Sequence, residues 1–555
     1  MLCARVVAVV VAVCLCLTWS ALATAARARV TSEESPPNPA GEAIYVRGVL
    51  SSGAPLEAAR TDSPPLTGAQ AACANCHRRS GLGYKEARTT IPPVAAAFLF
   101  DTGPTVHADA QHPFVPGARL NRKPYTPETL ARAVREGLDS EGRQLSYLMP
   151  RFALSDPDMA ALIAHLRSLD RRQVPGVSDT DLHFATILTP DVTAQRRQLV
   201  RQVVEQYFQD RNGALRGPGA QTMSTSGSTA YARMMFRVNR HWVLHVWEPA
   251  GPPDTWRKQL EQKFKDEPVF AVVSGIAGPA WPVVGDFCEQ KGIPCLFPNV
   301  EAPPANGDEQ FHSVFFSRGV LLEADLIGGA LLADDSGLPK HVVQVYRAND
   351  VGMYGAKALG GLLERRGVKV AGHPIDSQRG LAAAVSEGAS ADALILWLRP
   401  EDLRALPPPA AQPRTYISGL MAGLETAPLA ETWRPRVHMT YPVDLPDSRR
   451  VRLDYAQSWF RIRRIPVVDE RLQADTYLAC GLLSETLKHM VDAFVPDYLV
   501  ESLEGTVEHR VLTGYYPRLT LAPGQRFASK GGYLVHFETA QGLVRVVPDG
   551  PWVTP

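Results

Sequence analysis

Cys73-Ala-Asn-Cys76-His77 is the stretch that decides how the first third of this chain folds. Two thiols three positions apart can each form a thioether with one vinyl group of a porphyrin, and the adjoining histidine then lies under the iron as an axial ligand. The run predicts one covalent haem c, linked to Cys73 and Cys76 and coordinated by His77. It also predicts that the surrounding chain forms an apolar pocket for the porphyrin.

Two other uses of these cysteines compete with haem attachment. A zinc site needs a second pair of ligands at suitable spacing, and the nearby candidates His107 and His112 stand in a Gly-, Pro- and Asp-rich segment that suits a loop. A thiol redox pair needs a surrounding βαβ pattern. Haem attachment is the preferred interpretation.

A second axial ligand is expected from Leu148-Met149-Pro150. A thioether in a loop, held by the following proline, can approach the iron from its open face and raise its potential. Met159 is the rival, but it falls inside the next helix, where it is expected to pack in the core. Met149 is therefore the predicted axial ligand, and with two axial ligands a peroxidase-type activity is not expected.

Residues from about 40 to 170 resemble a class I cytochrome c domain, which we place at 36–172 as an all-α unit. In that family a glycine and an aromatic residue of the first helix pack against the last helix. The resemblance assigns these roles to Gly41, Tyr45 and the region 164–169.

The same resemblance implies the iron ligands and one hydrogen bond. The family's histidine and methionine ligands fall on His77 and Met149. A proline after the haem motif commonly offers its backbone carbonyl to the histidine ring, and Pro92 or Pro93 can fill that role.

The N-terminus has the layout of a secretory signal, which we place at 1–28. Arg5 precedes an apolar run over 6–17, and small residues follow in an A-x-A pattern. Export to the periplasm is expected, and an uncleaved membrane anchor is the alternative.

Charge and length exclude some classes of protein. The chain has 555 residues, too many for one hydrophobic core. Its 58 basic and 57 acidic side chains leave no basic surface for nucleic acid, which is not an expected partner.

After a polar linker at 173–180, strands and helices alternate through 181–555, which predicts parallel sheets covered by helices. Strands are predicted at 183–188, 242–247, 269–274, 295–298, 341–346, 369–371, 393–398 and 415–418, and helices at 192–211, 254–265, 280–291, 321–334, 353–366 and 475–493. The fold class is therefore mixed: an all-α N-terminal domain followed by a larger α/β module.

Several pieces of the larger module resemble type I periplasmic binding proteins of the branched-chain amino acid class. They are Val269-Phe-Ala-Val-Val-Ser-Gly275, Gly292-Ile-Pro-Cys-Leu-Phe-Pro298, 342–350 with 353–355, and 516–526. The resemblance implies two Rossmann-like lobes with a ligand between them. Lobe 1 would comprise about 181–310 plus part of 437–505, and lobe 2 about 311–436 plus the C-terminal segment.

The resemblance also implies which residues face the ligand, a small organic solute. Ser274, Gly275 and Asn299 follow strands of the first lobe, and Asp350 and Tyr354 lie on the opposing lobe. A structural alternative stays open at each position, because Ser274 and Asp350 can cap helices and Tyr354 can pack in the core.

Three cysteines remain in this module. Cys288 and Cys295 flank the end of a helix at Gly292 and the start of a strand, so a disulfide there would close a short loop and add about 2.5 kcal/mol. Two buried free thiols are the alternative. Cys480, in an apolar helical stretch, is expected to be buried.

The leading hypothesis is a non-enzymatic electron carrier in a periplasmic oxidation pathway, with a dehydrogenase or another cytochrome as redox partner. The binding module would then serve in docking or ligand sensing. The alternative hypothesis is a solute receptor for transport or signalling, in which the haem reports the redox state.

Overall fold

The structure is a computed structural model that describes residues 38–555, apart from 61–62, 87–88, 101–121, 170–173, 215–239, 305–306, 308–309, 334–336, 410–412, 491–492 and 541. The signal segment 1–28, His107 and His112 therefore lie outside the described residues. The chain divides into two compact units, Met1–Gln173 and Val174–Pro555.

The first unit is built from short helices around one apolar core. Its two longer helices begin with a side chain that caps the first turn, Thr126 in one and Ser155 in the other. The helices are α1 (Pro39–Glu42, continued by a π turn at Ala43–Arg47), α2 (Ala74–His77), α3 (Ala96–Leu99), α4 (Pro127–Glu136) and α5 (Asp156–Ser168).

Two small antiparallel sheets accompany these helices. β1 (Glu57–Arg60) pairs with both β2 (Ser63–Thr67) and β5 (Arg151–Phe152), and β3 (Tyr84–Glu86) pairs with β4 (Thr89–Ile91). The predicted all-α class of this unit is therefore wrong in this respect. Pro64 and Pro65 in β2 lack a backbone N–H and disfavour a helix there, and β2 instead pairs with β1.

The crossing of α1 with α5 depends on Gly41. A β-carbon at Gly41 would lie 2.1 Å from the carbonyl oxygen of Ala161, so only glycine permits this approach. Ile44, Tyr45, Leu162 and other apolar residues of the two helices belong to the core of the unit.

The second unit contains two separate sheets. The first sheet has the order β10-β9-β8-β6-β7, and all its strands are parallel. Its strands are β6 (Asp181–Ile187), β7 (His241–Trp247), β8 (Ala271–Val273), β9 (Cys295–Leu296) and β10 (Ser313–Val314). Its intervening helices are α6 (Ala194–Ala214), α7 (Trp256–Asp266) and α8 (Trp281–Lys291).

The second sheet is parallel in its first five strands and ends in an antiparallel hairpin, with the order β12-β11-β13-β14-β15-β16-β17. Its strands are β11 (His341–Arg347), β12 (Lys369–Ile375), β13 (Ala393–Trp397), β14 (Arg414–Ile417), β15 (Val437–Tyr441), β16 (Tyr533–Ala540) and β17 (Leu543–Pro548). The helices that belong to it are α9 (Val320–Ala333), α10 (Gly352–Glu364), α11 (Gln378–Gly388), α12 (Pro400–Arg404) and α13 (Gly419–Ala422).

Three further helices follow β15 before the chain enters the hairpin: α14 (Pro446–Ile462), α15 (Glu470–Met490) and α16 (Pro496–His509). Helix α15 packs against α6 and β8 of the first sheet. The chain therefore leaves the first sheet, builds most of the second, returns to the first and ends in the second.

The prediction of a mixed α/β class with parallel sheets is confirmed for the second unit. Among the described residues, no helix is both long enough and apolar enough to cross a membrane.

Candidate haem and solute sites

The predicted haem-attachment residues lie together at one short helical turn: Cys73 is the N-cap of α2, and Cys76 and His77 belong to α2. The backbone N–H of His77 donates to the carbonyl of Cys73 at 2.9 Å, so the turn holds the residues of the motif together. His77 is buried, Cys73 is partly buried and Cys76 is exposed.

The ring of His77 is oriented by a backbone carbonyl. Its Nδ1 lies 2.9 Å from the carbonyl oxygen of Pro92, and because a carbonyl only accepts, Nδ1 carries the proton. Of the two prolines considered, Pro92 therefore makes this contact. The tautomer leaves the lone pair on Nε2, which is the nitrogen that an iron would take.

Burial keeps this imidazole neutral. Burial lowers the pKa of His77, and the hydrogen bond to Pro92 offsets only part of that effect. A neutral imidazole is the form that binds a metal, so His77 fits the role of an axial ligand.

The two thiols of the motif are poor candidates for thiolate chemistry. Burial raises the pKa of Cys73 to about 12, and burial also raises the pKa of Cys76. Redox-active cysteine pairs depend on a lowered cysteine pKa. Because burial raises the pKa of both Cys73 and Cys76, a thiol redox role is disfavoured. Within the described part of the chain, no three His, Cys, Asp or Glu side chains are grouped to hold a metal ion.

The residues around α2 form an apolar, well-packed site. The hydroxyl of Tyr45 donates to the carbonyl of Arg78, directly after the motif, at 2.8 Å. The ring of Tyr45 lies 5.2 Å from that of His165 on the last helix. The side chain of Cys73 packs against the core that Tyr45 and its neighbours form. Cys73 therefore lies beside an apolar core, which is the kind of surroundings that a buried porphyrin requires.

Met149 lies in a loop and packs against the same core. The guanidinium of Arg151 donates to the backbone carbonyl of Met149 and holds the loop in place. Met159, the rival ligand, is buried inside α5 among core residues.

Of the predicted solute-binding residues, Ser274, Gly275 and Asn299 meet one another. The side-chain amide of Asn299 donates to Ser274 Oγ at 3.0 Å, to the Gly275 carbonyl at 2.9 Å and to Thr476 Oγ1 at 3.2 Å. Ser274 has a φ of 52°, in the left-handed region that residues with a β-carbon rarely adopt. Ser274 lies in the turn that follows β8 and does not begin a helix there.

Asp350 lies apart from these three residues, and its carboxylate is paired with an arginine. Its carboxylate accepts from Arg399 Nε at 2.7 Å and from Arg399 Nη2 at 2.8 Å. The same guanidinium donates to Glu301 at 2.6 Å. Arg399 follows β13 of the second sheet and Glu301 follows β9 of the first, so this group links the two sheets.

Glu301 is the centre of a network of ion pairs. Arg196 lies 3.7 Å from its carboxylate and Arg471 lies 3.9 Å away. Burial alone would raise the pKa of Glu301, but Arg399 and Arg196 outweigh burial and lower the pKa to about 2. Glu301 is therefore charged throughout the physiological pH range.

Asn299, Glu301 and Arg471 line a pocket of the second unit, and Asp475 of α15 lines this pocket as well. It is 3% exposed, and burial raises its pKa to about 7. Tyr516 donates to Asp475 Oδ2 at 3.2 Å.

Tyr354 lies apart from this pocket. Its side chain packs against the core of the second sheet, next to residues of α9 and α10. The packing alternative for Tyr354 therefore agrees with the structure.

Sequence reasoning missed four charged residues of the pocket: Arg196, Glu301, Arg471 and Asp475. A weak signal existed for the last two, because Arg471 and Asp475 stand four positions apart at the start of an otherwise apolar helix. Glu301 and Arg196 carry no such signal, because they lie in a loop and at the start of a polar helix.

Cys288 and Cys295 form a disulfide, with α-carbons 6.2 Å apart. It links the last turn of α8 to β9. Cys480 is a buried free thiol.

No protein-family model matches this sequence, and no curated protein matches it. Solved structures that align with it include a fatty acid ABC transporter substrate-binding protein from Thermomonospora curvata, 14% identical over 69% of this chain and 95% of that chain, with a TM-score of 0.48. A leucine binding protein from Thermotoga maritima is 11% identical over 67% of this chain and 99% of that chain, with a TM-score of 0.47.

A third aligned structure is a branched-chain amino acid transporter substrate binding protein from Streptococcus pneumoniae in complex with isoleucine. It is 11% identical over 67% of this chain and 100% of that chain, with a TM-score of 0.45. All three are named as binding proteins. At identities and scores this low, the alignments establish neither a family nor a ligand for this chain.

Proposed function

We propose that this chain is a periplasmic solute-binding protein that carries one covalent haem c in its N-terminal unit. The observation that carries the haem assignment is the buried, neutral His77, whose Nδ1 donates to Pro92 while Cys73 and Cys76 stand on the same helical turn. The proposed haem residues are Cys73 and Cys76 for the thioether links and His77 with Met149 for the iron.

When bound, the haem supplies one-electron oxidation and reduction at the iron. The chain's own residues would orient the iron ligands and exclude water. Pro92 holds the His77 ring in one tautomer, Arg151 holds the Met149 loop, and the apolar core around Tyr45 excludes water. Exclusion of water from a redox centre is one of the means by which a protein sets its potential.

The solute-binding assignment rests on the pocket lined by Asn299, Glu301, Arg471 and Asp475. This pocket is built by segments that follow strands of both sheets, and ligands of open parallel sheets bind at the carboxyl ends of strands. The proposed ligand is a small organic solute.

Two roles follow for the whole chain. As an electron carrier, the protein would exchange electrons with a dehydrogenase or another cytochrome, and the second unit would dock or sense. As a receptor, it would deliver its solute to a transport or signalling partner. We favour the receptor role, because the second unit carries a polar pocket lined by both sheets. Export is proposed from the signal layout of 1–28, with an uncleaved anchor as the alternative.

The haem assignment is tested by Cys76→Ala in a cell competent in cytochrome maturation. The wild-type protein should carry one covalent haem with a low-spin c-type spectrum, and the variant should lose the two-link attachment. Cys480→Ala is the matched control, because Cys480 is buried elsewhere and should leave attachment unchanged. A colourless wild-type protein without added porphyrin mass would overturn the assignment.

The choice between carrier and receptor is tested by calorimetry against small organic acids, alcohols and amino acids, with the haem potential measured for each ligand that binds. A tight ligand that leaves the potential unchanged supports the receptor role. A ligand that shifts the potential supports sensing by an electron carrier. Failure of every compound to bind would remove the solute-binding function.

A further inference from the structure

Asp475 presents a buried acceptor in the pocket between the two sheets. Its Oδ2 accepts from Tyr516 at 3.2 Å and lies 3.8 Å from Arg471 Nη1. Its Oδ1 accepts no hydrogen bond from any residue that the structure describes. Because Asp475 is only 3% exposed, bulk water does not replace the missing donor. A buried carboxylate oxygen without a hydrogen-bond donor raises the free energy of the folded protein. A ligand that donates a hydrogen bond to this atom would remove that cost.

The other polar groups of the pocket show what that ligand must carry. The Asn299 side-chain amide already donates to Ser274, Gly275 and Thr476. The Glu301 carboxylate already accepts a hydrogen bond from Arg399. Among the described side chains that line the pocket, Asp475 Oδ1 is the buried acceptor without a hydrogen bond, whereas Arg196 Nε lies 3.3 Å from Asp469 Oδ2 in an ion pair.

A hydroxyl group matches one acceptor beside arginine donors. It has one proton to donate and two lone pairs that can accept from a guanidinium. An ammonium group has three protons to place and no lone pair, and a carboxylate has no proton for Asp475. The hydrogen-bond partners that the pocket offers therefore favour a hydroxyl group over an ammonium or a carboxylate group.

Apart from Ser317 and Tyr516, the remaining side chains that line the pocket are apolar. Phe315 and Phe316 belong to the segment that leaves the first sheet, and Leu420 and Val443 belong to segments that follow strands of the second sheet. They suit a short carbon skeleton next to the hydroxyl group.

We propose that the pocket binds a small hydroxylated organic molecule whose hydroxyl group donates to Asp475 Oδ1. This inference rests on the proposed solute-binding function and names the substrate class of that site. Asp475 and Arg471 are assigned as the residues that select the hydroxyl group.

The test is calorimetry with the full chain at pH 8, where the carboxylate form of Asp475 predominates. The probes are lactate, propionate and alanine, which share a carbon skeleton and differ in carrying a hydroxyl, a hydrogen or an ammonium group, together with propane-1,2-diol and n-propylamine. We expect lactate or the diol to bind at least tenfold more tightly than the compounds without a hydroxyl.

Asp475→Asn should weaken the binding of the hydroxylated probe roughly 10- to 100-fold, the effect of losing a hydrogen bond to a charged group. Thr486→Val on the same helix is the matched control, because the Thr486 hydroxyl donates to the Leu482 carbonyl of its own helix and the change should leave affinity unchanged. If Asp475→Asn does not fold, the probe series with the wild-type protein remains the test.

The outcomes separate this inference from the function on which it rests. Tighter binding of alanine or propionate, or an Asp475→Asn variant with wild-type affinity for the hydroxylated probe, would overturn the substrate class but keep a solute-binding protein. Absence of binding by every probe and by the wider panel would overturn the solute-binding function itself.

Discussion

His312 shows how a single side chain ties distant segments of the second unit together. It is 3% exposed, and its Nδ1 and Nε2 lie 3.2 Å and 2.9 Å from carboxylate oxygens of Glu289 and Asp497. Burial alone would lower its pKa, but the hydrogen bonds to Asp497 and Glu289 raise it. His312 therefore joins α8 to α16 at the start of the strand β10.

A raised pKa makes this contribution depend on pH. The native state holds the proton more tightly than the unfolded chain, whose histidines titrate near pH 6.5. The stabilisation is therefore complete below about pH 6.5 and is lost as the pH rises through the folded pKa. We expect His312→Gln to reduce the fall in urea midpoint between about pH 6 and 8.5, as followed by tryptophan fluorescence.

His489→Gln is the control for this measurement, since His489 is exposed near the end of α15. It should leave the pH profile of the urea midpoint as it is in the wild-type protein. Identical profiles for His312→Gln and the wild-type protein would show that His312 does not carry the effect.

At the scale of elements, most of the alternating strands and helices of the second unit were predictable, as was α15, whereas β10, α11, β15, α14 and the C-terminal hairpin were not predicted. Helix α14 was missed because its buried positions, such as Leu453, Ala456 and Phe460, stand among six arginines in the segment 449–464. The hairpin of β16 and β17 was missed because it breaks the βαβ pattern. Its place beside β15 depends on a return of the chain that no local signal encodes.

The contact between α1 and α5 gives a prediction for the first unit. Gly41→Ala would place a β-carbon 2.1 Å from the carbonyl oxygen of Ala161, a backbone atom that cannot move aside cheaply. We expect a loss of about 3 kcal/mol in stability, the upper part of the usual range for overpacking. Hydrogen exchange of the full chain should show faster exchange in α1 and α5.

Gly213→Ala is the control for this change, because a β-carbon there meets nothing within 4 Å. It should leave exchange in α1 and α5 unaltered. Wild-type protection of both helices in Gly41→Ala would mean that the close crossing is not required.

The disulfide between Cys288 and Cys295 gives a second prediction at this scale. It closes a short loop with a sequence separation of 7. The chain-entropy relation gives about 2.5 kcal/mol for a loop of this length. We expect the double variant Cys288→Ala with Cys295→Ala to lose about that amount, measured by urea unfolding. A reductant should destabilise the wild-type protein and have no effect on the double variant.

At the scale of the whole molecule, the second unit is held across its two sheets by the Arg399 guanidinium. Arg399 bonds Asp350 beside the second sheet and Glu301 beside the first. Both carboxylates are partly buried, so the loss of their common cation would leave two negative charges in a poorly solvated place.

We therefore expect Arg399→Met to loosen the contact between the sheets. Stability should fall by about 2 kcal/mol, less than for a fully buried pair because water reaches these groups. Hydrogen exchange should increase in the segments around Glu301 and Asp350. Arg404→Met, in α12 of the same sheet, is the control and should change neither quantity. Unchanged exchange in Arg399→Met would contradict a bridging role.

The sequence by itself determined the C-x-x-C-H motif, the alternation that builds the parallel sheets, and the cysteines of the short loop. These features depend on residues close together in the chain, through spacing, periodicity and loop closure. Only the tertiary structure decided that Pro92 bonds His77, that Asp350 serves Arg399, and that Asp475 enters the pocket. Those contacts join residues far apart in sequence, and their geometry is set by how helices and sheets pack, which no local pattern contains.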